Sequence, residues 1–99
     1  MSQELVISQQ LIQQYFGLAV DTAMQQYEEI LSRLEKQVQY LLNDDFQTLL
    51  NALYRIDVNE ERFREALELS KPNEVARNLG KLILDRIVLK AQTRLKYSS

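Results

Sequence analysis

The chain of 99 residues has the length of a single domain, which we assign to residues 1–99. It contains 45% hydrophobic and 26% charged residues, as ordinary globular proteins do, and has a formal net charge of −2. Because it has no His and no Cys, it lacks the residues of His-based acid–base catalysis, of His-activated nucleophiles and of most zinc sites. We therefore expect no enzyme, no metal site and no cofactor.

Helix is the favoured conformation almost everywhere. The chain has only two Gly and one Pro, and no segment alternates polar and apolar residues as a strand does. The sequence predicts an all-α fold, a small bundle of about four helices completed by oligomerisation. We find no signal-peptide pattern and no window near the roughly 18 apolar residues of a membrane span, so we expect a cytoplasmic protein without membrane contact.

The N-terminal part predicts one long helix, kinked or straight, from about residue 4 to about residue 42. Its apolar residues follow heptad spacing, and we call them the heptad face: Val20, Met24, Tyr27, Leu31, Leu34, Val38 and Leu41. Gly17 could break this helix, but its neighbours are apolar and lack turn residues, so we favour continuity. Such a helix would span roughly 55–60 Å and must project, so its apolar face needs a partner. The many Gln of this region are interpreted as a solvated face.

Two polar joints divide the middle of the chain. Asp44 is the predicted N-cap of a helix over residues 45–56, with a capping-box pattern after it. Asn59 is the predicted N-cap of a short helix that ends near residue 70. The two positions of a hydrophobic staple at this second joint are occupied by Val58 and Phe63.

The last predicted helix, residues 73–95, contains the most apolar long segment, residues 75–91, and we expect it at the centre of the bundle. Its first apolar stripe contains Ala76, Gly80, Ile83, Ile87 and Ala91, and its second contains Val75, Leu79, Leu82 and Leu89. Gly80 implies the close approach of another helix, for which we expect the helix of residues 45–56. Arg86 falls inside the second stripe, where it either pairs with a carboxylate or extends to solvent, and the sequence leaves both open.

The segments LLNALYRIDVNEERF (49–63) and LILDR (82–86) resemble short helical proteins of bacteria whose function is unknown. The resemblance covers about the C-terminal half of the chain. It implies a helical fold, and it carries no activity, ligand or site residue to this sequence.

Charge is unevenly distributed along the chain. Residues 1–70 carry twelve acidic and five basic side chains, whereas residues 71–99 carry two acidic and seven basic ones. One interpretation is that a basic helix lies against acidic helices within the bundle. The other is a basic end that binds nucleic acid or an acidic partner. We favour nucleic acid less, because Arg and Glu are mixed on the short helix before this end.

These patterns predict a non-catalytic interaction or structural protein that self-associates, as a dimer in the first instance, or binds another protein. The candidate association surface combines the heptad face with the second stripe of the last helix: Val20, Met24, Tyr27, Leu31, Leu34, Val38, Leu82, Arg86 and Leu89. The alternative is a nucleic-acid-associated regulatory protein that uses the basic C-terminal segment.

Overall fold

Helices form most of the described chain. The computed structural model describes residues 3–21 and 23–97, and within these ranges it contains helices and no strand. In chain order the helices are α1 (Gln3–Phe16), α2 (Tyr27–Asp44), α3 (Phe46–Ile56), α4 (Glu60–Leu69) and α5 (Val75–Tyr97). The predicted all-α bundle is confirmed, with five described helices in place of about four because the N-terminal region divides.

The connection between α1 and α2 shows that the prediction of one helix from residue 4 to residue 42 is wrong. Gly17 has a φ of +73°, and its N–H donates to the carbonyl of Gln13 at 2.8 Å. Helices commonly end in this way, because glycine adopts the left-handed conformation without steric cost. The longest dimension of the molecule is 40 Å, so the described chain has no projecting helix.

A buried glutamine holds this connection against α1. Gln9 belongs to the residues interpreted as a solvated face, yet it is 2% exposed. Its side-chain nitrogen donates to the carbonyl of Asp21 at 3.1 Å, and its side-chain oxygen accepts from the N–H of Asp21 at 2.8 Å. Main-chain groups therefore satisfy the buried amide, and the loop is fixed beside the helix.

Helix α5 lies at the centre of the bundle, as predicted, and contacts each of the other four described helices. The whole first stripe is buried, together with Leu79 and Leu84. The second stripe is only partly covered: Val75 and Leu82 are half-buried, and Leu89 is exposed. Most of the apolar arc of α5 therefore belongs to the core of the single chain, and its outer edge remains at the surface.

The helix that approaches Gly80 is α2, so the expectation that it is the helix of residues 45–56 is wrong. A Cβ atom added at Gly80 would lie 3.3 Å from Cδ1 of Leu31 and 3.8 Å from the backbone of Glu35. Separating α2 from α1 lets the heptad face turn inward onto α5. The absence of a side chain at position 80 is what permits this close contact.

The two predicted joints are present, with one change of capping residue. The N-cap of α3 is Asp45 and not Asp44, which ends α2. The Asp45 carboxylate accepts from the N–H of Thr48 at 3.2 Å and from its hydroxyl at 2.6 Å. Asn59 is confirmed as the N-cap of α4, since its side-chain oxygen accepts from the N–H of Arg62 at 3.0 Å.

Polar side chains also join α2 to α5. Arg77 of α5 lies 2.8 Å from Glu28 and 3.2 Å from Glu35, and these hydrogen bonds raise the pKa of Arg77, the bond to Glu28 most. The Tyr27 hydroxyl donates to the carboxylate of Asp85 at 2.6 Å. Partial burial raises the pKa of Tyr27, and the bond to Asp85 raises it further. A basic helix therefore lies against an acidic one, as the first interpretation of the charge distribution predicts.

Candidate interaction site

The heptad face predicted for self-association is used mainly inside the chain. Its central members, Leu31, Leu34 and Val38, are at most 1% exposed, and α2 packs on α3 and α5 of the same chain. The remaining candidates of this region, Val20, Met24 and Tyr27, are half-buried at the start of α2 or in the connection before it. The structure therefore corrects this part of the prediction, because the buried residues leave no surface for a second molecule.

The part of the candidate surface on α5 stays accessible. Leu89 is 51% exposed, and Leu82 is half-buried. Nη2 of Arg86 lies 3.5 Å from Oδ2 of Asp57, while 34% of the Arg86 side chain is exposed. Arg86 thus combines the two alternatives that the sequence leaves open, since it pairs with a carboxylate and also reaches solvent.

An open groove with an apolar lining lies between α3 and α4, and we call it the apolar groove. Its volume is about 330 Å³, and its apolar lining consists of Leu50, Leu53, Tyr54, Val58 and Phe63. Helix α3 has two apolar sides. One side packs into the core through Leu49, Ala52, Leu53 and Ile56. The other carries Phe46, Leu50 and Tyr54 at four-residue spacing and remains accessible.

Helix α4 forms the second wall of the apolar groove without entering the core. None of its residues is buried, and Phe63, Ala66 and Leu67 are only half-buried. Among the described helices it contacts α5 alone. Helices α3 and α4 therefore stand apart, and the space between them is the groove, with Asp57 and Glu60 at its edge.

The sequence contained a signal for this surface. The apolar residues Phe46, Leu49, Leu50, Leu53 and Tyr54 lie at helical spacing and mark one face of the helix predicted over residues 45–56. Ala52 and Ile56 are buried as well, so the apolar arc is wider than one helix contact can cover. Counting these two residues indicates that one edge of α3 must remain open.

A second groove, between α1 and α5, has a basic lining, and we call it the basic groove. Its volume is about 350 Å³, and it is lined by Leu11, Tyr15, Arg86, Lys90, Thr93 and Arg94. The guanidinium of Arg55, on α3, lies 5.3 Å from the centre of the Tyr15 ring. Periodicity could not reveal this groove, because its lining residues come from two helices, α1 and α5, that are distant in the sequence.

Two further observations bear on the kind of site. Among residues 3–21 and 23–97, no group of three or more His, Cys, Asp or Glu side chains is arranged to hold a metal ion. Within the same part of the chain, no helix combines the length and the apolar character needed to cross a bilayer.

A scan against protein-family models finds no matching family, and searches among curated proteins and solved structures find no match. The resemblance to short helical bacterial proteins therefore stays a prediction.

Proposed function

We propose that this chain is a small, non-catalytic, cytoplasmic interaction protein that self-associates through the apolar groove. The observation that carries the proposal is that Leu50, Tyr54 and Phe63 line one open groove, with Tyr54 89% exposed. Contiguous exposed apolar surface of this kind is typical of association sites. Buried aromatic side chains contribute much of the energy in such contacts.

A second copy of this chain is the occupant to which we commit, because the chain carries a surface complementary to the groove. The outer edge of α5 presents Leu82, Leu89 and Lys96 at seven-residue spacing, so these side chains lie along one line of the helix. This line is apolar with a basic end. The apolar groove has acidic groups, Asp57 and Glu60, at its edge, and both stay largely exposed although each lies near an arginine of its own chain. Both hydrophobic contact and charge therefore favour the pairing of these two surfaces.

The proposed arrangement is a two-fold dimer. Each copy places the outer edge of its α5 in the apolar groove of the other, so the same pair of surfaces is used twice. A helix that packs its apolar side into a groove is a recurrent mode of recognition. The small net charge of −2 adds little repulsion between two copies.

Sedimentation velocity at micromolar concentration tests the proposal. We expect the mass of two chains for the unmodified protein. Tyr54→Glu, in the apolar groove, and Leu89→Glu, on the outer edge of α5, should each weaken the dimer by about 2 kcal/mol or more, because they bring a charge to an apolar contact.

Tyr40→Glu is the matched control, because Tyr40 is an exposed tyrosine of α2 that does not line the apolar groove. It should leave the dimer intact. A monomeric unmodified protein, or equal dissociation by Tyr40→Glu and Tyr54→Glu, would contradict self-association through this groove.

A further inference from the structure

We propose that the basic groove between α1 and α5 is a binding site for a phosphate group. The basic groove shares no lining residue with the apolar groove, but Arg86 of the basic groove pairs with Asp57 at the edge of the apolar groove. The ligand class is either a free organic phosphate or the backbone phosphate of a nucleic acid, and the two have the same chemistry at the site.

The cationic groups of the groove converge because of their spacing. Arg86, Lys90 and Arg94 follow one another at four-residue intervals on α5 and line the same groove. Arg55 adds a fourth positive charge beside Tyr15. No carboxylate lines the groove, and among the described residues neither Lys90 nor Arg94 has an ion-pair partner. Like charges held together in this way favour a multiply charged anion.

Arg86 supplies an independent observation that points to a ligand. Its Nε atom is buried and has no hydrogen-bond partner among the described residues. Its contact with Asp57, at 3.5 Å, is long for a charge-assisted hydrogen bond. A buried N–H without an acceptor is unfavourable, so Arg86 has unused hydrogen-bonding capacity while its side chain also lines the groove. Guanidinium groups suit phosphate well, because two parallel N–H groups can bind two oxygens.

The uncharged and acidic groups in or near the groove determine which further contacts a ligand can make. The Thr93 hydroxyl already donates to the carbonyl of Leu89 at 3.0 Å, so the cationic side chains are the donors left for an anion. Glu4 accepts from Gln92 at 3.2 Å near this side of α5, but Glu4 does not line the groove. Leu11 and Tyr15 form an apolar wall that can contact the organic part of a phosphate ester. The volume of about 350 Å³ matches small-molecule sites.

Two probes separate the sources of the phosphate: inorganic pyrophosphate and a short single-stranded RNA. Each is titrated into the full chain at constant ionic strength, with calorimetry for affinity and ¹⁵N-correlated NMR for the arginine Nε–H resonances. Binding should shift the Arg86 Nε–H resonance, which Arg86→Lys assigns by removing it. The double variant Lys90→Gln/Arg94→Gln should weaken binding about tenfold or more, because it removes two charged donors.

The control is the double variant Lys36→Gln/Arg62→Gln. It changes the net charge equally, and both residues are exposed and outside the basic groove. Pyrophosphate binding that only the groove variant weakens supports a small phosphate ligand. RNA binding with the same dependence, and none of pyrophosphate, supports the nucleic-acid backbone as the source. If neither probe binds at low salt, or if both double variants lose affinity equally, the proposed site is wrong.

Discussion

Two neighbouring helices, α4 and α5, differ in how much of their apolar surface the fold covers. Helix α5 contacts all the other described helices and buries seven residues, whereas α4 contacts α5 alone and buries none. Both have apolar residues at helical spacing, so periodicity alone does not distinguish them. The difference shows that the helix that contributes most buried apolar surface is not the helix that leaves apolar surface accessible. Helix α5 holds the bundle together, and α4 leaves apolar surface for a partner.

The largest expected effect compares one apolar side chain from each helix. Ile83→Ala, in α5, should lower the free energy of unfolding by about 2–5 kcal/mol, because it leaves a cavity in the core. Phe63→Ala, in α4, removes a larger side chain but should cost only about 1–2 kcal/mol, because Phe63 is half-buried. Urea denaturation of both variants measures the two values. A greater loss for Phe63→Ala would mean that α4 belongs to the core.

The contact between α5 and α2 should be sensitive to added volume. Gly80→Leu should destabilise by about 1–3 kcal/mol, because Leu31 and the backbone of Glu35 already lie within 3.8 Å of the position of a Cβ atom. Leucine is also the better helix former by about 1 kcal/mol. If position 80 were exposed to solvent, Gly80→Leu would therefore stabilise the protein. Thermal denaturation distinguishes a packed from a solvated position 80. A higher melting temperature for Gly80→Leu would contradict the central position of α5.

The start of α4 should contribute less than the core of α5. Asn59→Ala should cost about 1 kcal/mol, because it removes the acceptor for the N–H of Arg62. Since α4 has no buried residue, we expect the loss mainly as local opening of this helix. Amide hydrogen exchange should therefore speed up in α4 and change little in α5. Equal acceleration in both helices would show that α4 unfolds only together with the rest of the chain.

The smallest expected effect concerns the hydroxyl that ties the start of α2 to α5. Tyr27→Phe removes the hydrogen bond to Asp85 and should cost about 0.5–1 kcal/mol at neutral pH. Because folding raises the pKa of Tyr27, the stabilisation is fully present below about pH 10, the pKa of an unperturbed tyrosine. It is lost as the pH rises further. The stability difference between the two proteins, measured in urea at a series of pH values, should shrink above about pH 10. A constant difference would contradict a raised pKa of Tyr27 in the folded protein.

Much of the fold could be predicted from local chemistry. The helical content follows from the composition, and the buried stripe of α5 follows from its periodicity. Asn59 was identifiable as a cap because it precedes two glutamates and an apolar face. Asp44 and Asp45 were harder to separate, since adjacent carboxylates satisfy the same capping pattern and only the backbone conformation selects Asp45.

The errors arise where tertiary contacts decide between two local possibilities. Gly17 can lie inside a helix or end one, and the buried amide of Gln9 stabilises the ended form. Heptad spacing predicts an apolar face, but it does not indicate whether that face is buried by the same chain or by another chain. Here α5 covers much of it, and α5 is far away in the sequence. The basic groove was equally hidden, because Tyr15 and Arg94 meet only after α1 has packed on α5.

The capped end of α1 has a consequence for how copies of this chain can exchange parts. Helices α1 and α2 both pack on α5, and Gly17 ends α1 before the connection that leads to α2. If residue 17 continued the helix, α1 would extend away from its own α5. The position that α1 occupies on α5 would then be open to α1 of a second molecule, an arrangement known as domain swapping. Gly17 ends α1, and Gln9 fixes the connection that follows. Together they favour packing of the N-terminal helix within its own chain.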